Sequence, residues 1–258
     1  MNPSAVRAHT IDDVIALLDQ IIDRARRESS RLGYFAALYR NVTIRVKDGI
    51  GQGRFDDGPR MEQLDVRFAN RYFSAFHRHR EGDAPTQCWQ VAFDAATWWR
   101  PLILQHLLLG MNAHINLDLG IAAARVSPGP ELARLERDFR TINDVLIEML
   151  DGVQRRLSAV SPWLGVLDVI GGGTDELVAA AGLKGARHIA WRTARRLAPL
   201  DRDAQQPVIA RADERVARIG RQILQPGPVL TTAAFVTRCA EDHTVDAVID
   251  VLSRPPAA

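Results

Sequence analysis

The residues best placed to do chemistry are His106, Asn112, His114, Asn116 and Asp118, all within WWRPLILQHLLLGMNAHINLDLGIAAAR at 98–125. Imidazoles and carboxylates act as general acids, bases and metal ligands near neutral pH. His114 and Asp118 stand four residues apart, so on a helix their side chains are neighbours. At about 100° per residue, with His106 at zero, His114 falls at about 80° and Asp118 at about 120°. Gly110 lies between the two histidines at about 40°, where its missing side chain leaves room for a bound group. Asn112 and Asn116 fall at about 240° and 280°, on a second polar edge suited to tying the helix to its neighbours.

Three chemistries are open. In the first, His106, His114 and Asp118 contribute to a metal site; a helical His-x3-Asp pair suits Zn or Fe, with further ligands from neighbouring helices. In the second, His114 is a metal-free general acid/base oriented by Asp118. In the third, these are buried polar residues that satisfy one another and set helix register. A lone His-x3-Asp lacks the specificity of an HExxH motif; what strengthens it is its polar company on an apolar helix. The candidate catalytic residues are therefore His114, Asp118 and His106, with Asn112, Asn116, Asp65 and Tyr72 as candidate substrate contacts.

The elements that must position these groups are helical. A helix that is apolar all round is a buried one, so 100–125 is expected to run through the core. Apolar spacing predicts further helices over 11–30, capped by Thr10 or Asp12, over 32–47 with a strand as the alternative, and over 60–79. Pro101 either kinks a helix over 87–125 or starts the central one near residue 100. SPGPE at 127–131 is a break before a long helix over 132–157. SPWLGVLDVIGGGTDE at 161–176 starts a short helix and stops at three glycines, and further helices follow over 175–181, 185–198, 207–224, 229–238 and 243–252. With no strand alternation and no fixed repeat period, the expectation is an all-α single domain spanning 1–258, with a main body over 10–200 and C-terminal helices beyond.

On the 60–79 helix, Leu64, Phe68, Ala69, Tyr72, Phe73 and Phe76 share an inward face. Asp65 sits at its edge and Tyr72 on it, with a hydroxyl that can reach a pocket. Arg67 and Arg71 fall on the other side and are read as solvated, and His77 and His79 complement the helix C-terminus. Asp138 flanks the apolar face of the 132–157 helix. The glycine-rich loop 48–58 is a surface loop or a lid; with no strand before it and no Walker lysine after it, it is no phosphate cradle. Ala186, Ala190 and Ala194 permit close helix packing, and Trp191 serves as a packing anchor.

Composition excludes several classes. The 258 residues carry 33 basic and 31 acidic side chains, a net charge of +2 that makes no electrostatic case for nucleic acid or a membrane surface. Cys88 and Cys239 have no CxxC or zinc-ligand spacing and read as reduced thiols of a cytoplasmic protein. The N-terminus becomes an amphipathic helix directly, without a signal-peptide core. The apolar run is long enough to cross a membrane, yet two His, two Asn and one Asp within it are expensive in lipid. Nucleophile motifs are absent, which leaves metal-assisted or acid/base chemistry.

HLLLGMNAHINLDLGIA, WLGVLDVIGGGTDE and ARHIAWRTARRLA together resemble an uncharacterised bacterial family, common in actinobacteria, over about residues 10–200. That resemblance implies a helical fold and no assigned reaction. A looser likeness, to the helical zinc-dependent phospholipase C class, is weakened by the lack of a liganding N-terminal Trp and of most of the histidines. The leading expectation is an enzyme acting on a small, fairly apolar organic molecule by hydrolysis, cyclisation or isomerisation. The alternative is a non-catalytic small-molecule-binding or interaction module.

Overall fold

The computed structural model describes residues 7–161, 175–241 and 244–254, and these are helical throughout, without strands. Helix α1 (Ile11–Arg27) begins where Thr10 accepts from the Asp13 backbone N–H and Asp13 returns the bond, a capping box at the expected residue. Helix α2 (Leu32–Gly51) settles the strand alternative over 32–47 in favour of a helix, whose first turns, Gly33 to Tyr39, are buried on every side. Helix α3 (Gly58–Arg80) starts on the Asp57 side chain, which accepts from Arg60 N, with Pro59 in the first turn.

Helix α4 (Gln87–Ala96) ends before Pro101 and the central helix starts afresh just after it, at Ile103, so Pro101 stands at the start of a separate central helix rather than kinking one long helix. The central helix comprises α5 (Ile103–Ala113), a π-helical turn (His114–Leu119) and α6 (Gly120–Val126). It is long and apolar enough to cross a membrane, but 83% of its apolar window is buried inside the fold, as befits a core helix. Around it stand α2, α3, α4 and α9 (Arg202–Leu224), while α8 (Asp175–Leu197) crosses its second half. Close approach of α8 requires Gly120: a Cβ there would lie 2.6 Å from Ala190 O and 2.9 Å from Thr193 Cβ. The small-residue strip supplies the other half of that contact, with Ala190 and Ala194 fully buried, and Trp191 packs on Phe139 at 4.8 Å.

Helix α7 (Leu132–Val160) follows a 3-10 turn at Gly129–Glu131, and α10 (Pro228–Ala240) and α11 (Val245–Ser253) close the fold, α11 against α2. The separate helices expected over 175–181 and 185–198 are one helix, α8. The short helix expected within 161–176 lies almost wholly outside the described residues.

Candidate functional site

A π turn closes its backbone bonds one residue later than an α turn, so it widens the helix and rotates the residues beyond it. Here it holds His114, Asn116 and Asp118. Asp118 is 1% exposed and is met from two other helices. Its Oδ1 accepts from Arg71 Nε of α3 at 2.6 Å, and its Oδ2 accepts from Trp89 Nε1 of α4 at 2.8 Å. His114 Nδ1 stands 3.5 Å from the same Oδ2. Burial pushes the Asp118 carboxyl up, but the Arg71 guanidinium and the His114 and Trp89 donors outweigh it and hold it below the usual carboxylate range. Asp118 is therefore an ionised, pinned carboxylate.

Arg71, expected in solvent, is instead the ion-pair partner of Asp118, with a side chain only 20% exposed. The signal for it is the spacing of Arg67, Arg71, Ser74 and Arg78 by four, three and four residues, a stripe beside the aromatic face of α3. That stripe forms one wall of a cavity of about 440 Å³, which Trp89 of α4 and Asp118, Ala122 and Arg125 of the central helix complete.

His114 lies behind this cavity rather than in it. Its ring stacks on Phe68, with centroids 3.4 Å apart and planes at 8°, and meets Tyr39 at 4.5 Å and Phe35 at 5.6 Å. Burial lowers its pKa, Asp118 only partly opposing the shift, so the imidazole is neutral. His106 is placed elsewhere, edge-on to Tyr34 at 5.9 Å. Burial, then the charges of Arg31 and Arg238, bring its pKa down to about 3. Nε2 of each histidine is buried without a hydrogen-bond partner among the described residues. The room expected at Gly110 is filled by Phe35, whose ring would stand 2.5 Å from a Cβ there. Among the described residues no three His, Cys, Asp or Glu side chains are grouped to hold a metal ion, so His106, His114 and Asp118 do not come together as ligands.

The asparagine edge faces α9. Asn116 Nδ2 donates to Asn112 Oδ1 at 2.8 Å, and Asn112 Nδ2 to Val216 O at 2.9 Å, away from the cavity. Asp65 is buried with Oδ2 unpartnered, and burial, with the Glu62 charge, pushes its pKa up to about 7. Tyr72 packs in the aromatic core against Phe35 and Trp89 at 5.2 and 5.1 Å, and burial raises its phenol. Neither borders the cavity. The glycine-rich loop is pinned, not a free lid: Asp138 accepts from the backbone N–H of Asp56 and Asp57 at 2.7 and 3.2 Å, and Phe55 is buried beneath it.

A family model matches residues 11–226, from the first residue of α1 to two residues beyond α9. The chain belongs to DUF5995, a family of unknown function. The match extends past residue 200, so α9, which receives the asparagine edge, is part of the DUF5995 unit rather than an appendage to it. No curated protein and no solved structure matches this DUF5995 chain.

Proposed function

We propose that the chain is a small-molecule-binding domain whose ligand occupies the cavity above Asp118, and that the polar groups beneath the cavity hold its floor in place. The observation that carries this is the separation of roles around Asp118. The carboxylate borders the cavity, and so do two of the residues that bind it, Arg71 and Trp89. His114, the expected acid/base, is sealed behind an aromatic layer and stays neutral. A carboxylate that accepts from Arg71 and Trp89 and is held ionised is a weak proton acceptor but a firm anchor for the groups around it. A volume near 440 Å³ suits one small organic molecule. The two free cysteines, Cys88 and Cys239, suit a reducing compartment, and we take the domain as cytoplasmic.

An enzymatic role is the second reading, favoured by the π turn, a distortion that recurs at functional sites. In that case Asp118 and Arg71 would touch the substrate while His114 positions Asp118.

A thermal-shift screen of a chemically diverse small-molecule library against the full chain, repeated on Ser74→Trp, tests the binding role. Ser74 lines the cavity outside the Asp118 network, so the tryptophan fills the space without breaking that network. Ligands that raise Tm in the wild type and not in Ser74→Trp are expected. Failure of every compound, or an undiminished shift in Ser74→Trp, would refute it.

A further inference from the structure

Five arginines line the cavity above Asp118, and Asp118 is the sole carboxylate among them. Arg71 already neutralises that carboxylate, so the lining keeps a large positive excess. Arg67, Arg78 and Arg125 have no ion-pair partner among the described residues, although the chain as a whole is nearly neutral. Protein surfaces normally intersperse opposite charges, and concentrated unpaired charge of one sign repels itself. Arg125 feels this directly: it is partly buried, its Nε is sealed with no partner among the described residues, and the charges of Arg71, Arg202 and Arg67 add to burial in lowering its pKa. An anion in the cavity would relieve this repulsion at Arg125.

The geometry of Arg71 adds direction. Its Nε–H is engaged by Asp118, which fixes the plane of the guanidinium and leaves the terminal N–H groups, beside the cavity, without a hydrogen-bond partner among the described residues. A guanidinium held in this way presents a two-pronged donor matched to two oxygens of a planar or tetrahedral oxyanion. Arg67 and Arg78, one helical turn before Arg71 and two turns after it, bracket the same point from α3, and Arg125 faces it from the central helix.

We propose that the ligand of this cavity is a phosphate ester or diphosphate of a small organic molecule, with its phosphate seated on Arg71 and Arg125 and flanked by Arg67 and Arg78. A phosphate dianion offers three peripheral oxygens and about two charges, and so engages the whole set, whereas a carboxylate offers two oxygens and one charge. This assignment rests on the binding role proposed above and names the chemistry of its ligand.

Calorimetric titration of the full chain at low ionic strength, with phenyl phosphate, inorganic pyrophosphate, benzoate and phenol as probes, tests it. The two phosphates are expected to bind saturably and benzoate at least about tenfold more weakly, with phenol silent. Arg125→Gln and Arg78→Gln are each expected to weaken phenyl phosphate by about tenfold. Neither residue holds Asp118, so these variants do not depend on the network that Arg71→Gln would break. No saturable binding of either phosphate, equal binding of benzoate, or affinity unchanged in both arginine variants would overturn the assignment. Binding of phenol without the phosphates would also overturn it while leaving the cavity a ligand site, which the screen with Ser74→Trp decides on its own.

Discussion

Arg71 donates its Nε–H to Asp118 Oδ1 at 2.6 Å, joining α3 to the π turn of the central helix through an ion pair whose acid is 1% exposed. Removing Arg71 leaves a carboxylate that is 1% exposed without its ion-pair partner, and removing Asp118 leaves Arg71 with no other acid on the cavity lining. Breaking a buried pair from one side therefore costs far more than removing both charges. Arg71→Met and Asp118→Leu are each expected to lose about 3–5 kcal/mol of unfolding free energy, while the double variant recovers most of that loss. Urea unfolding of the four proteins measures it, and strictly additive losses would show that the two residues do not stabilise each other.

Two buried groups titrate against each other. Folding lowers the His106 pKa from 6.5 to about 3, so the native state binds fewer protons in that interval, and the stability His106 contributes above pH 6.5 is lost on acidification. Folding raises the Asp65 pKa from 3.8 to about 7, so its contribution is complete below pH 3.8 and is lost as pH rises toward 7. The slopes of these two groups oppose each other, and His114, which burial also keeps neutral, adds to the His106 side, so the wild type is expected to lose less stability on acidification than Asp65→Asn. His106→Leu unmasks the Asp65 slope, and Asp65→Asn unmasks the His106 slope, each worth about 2–3 kcal/mol between pH 6.5 and 4.5. Denaturation midpoints across that range decide it; parallel profiles in the two variants would contradict the assignment of opposite signs.

The central helix is legible in the sequence because an apolar surface on every side has one destination, the core. Its rotational register is less so. The angular placement of His106, Gly110, His114 and Asp118 assumes an uninterrupted α-helix, and the π turn at His114–Leu119 breaks that assumption with no periodic signature of its own. The space at Gly110 is lost for a different reason. A missing Cβ invites either a ligand or a neighbouring side chain, and only tertiary packing reveals that Phe35 takes it. Arg71 illustrates a third limit: an arginine beside an apolar face is solvated or paired according to what the next helix offers, and its partner there is 47 positions away in the chain. The Asn112 and Asn116 edge is legible because two amides one turn apart need partners wherever the helix is buried.

Asp138 should control the glycine-rich loop and nothing at the cavity. Its carboxylate accepts two loop N–H groups and lies 3.2 Å from Arg60 Nη2, and none of these residues lines the cavity above Asp118. Asp138→Ala leaves those donors without their acceptor and is expected to lower stability by about 1–3 kcal/mol. Amide hydrogen exchange should speed up at Asp56 and Asp57, with protection around Asp118 unchanged. Faster exchange at both places would instead mean that loop and cavity floor open together.

Gly120→Ala tests how closely α8 must approach the central helix. The added Cβ would meet Ala190 O at 2.6 Å and Thr193 Cβ at 2.9 Å. The first of these is backbone, which cannot swing aside as a flexible side chain would, so relief requires α8 to move bodily. Alanine nevertheless favours the helical state over glycine by about 1 kcal/mol, which opposes the clash. Overpacking of a well-filled contact costs about 1–3 kcal/mol, so the net loss is expected to be of order 1–2 kcal/mol despite the better helix former. Gly185→Ala, in α8 with open space around the new methyl, supplies the contrast: the same propensity gain with no clash, hence a small rise in Tm. Thermal denaturation of the two variants side by side reads the difference, and equal shifts of the same sign would remove the case for a packing constraint at Gly120.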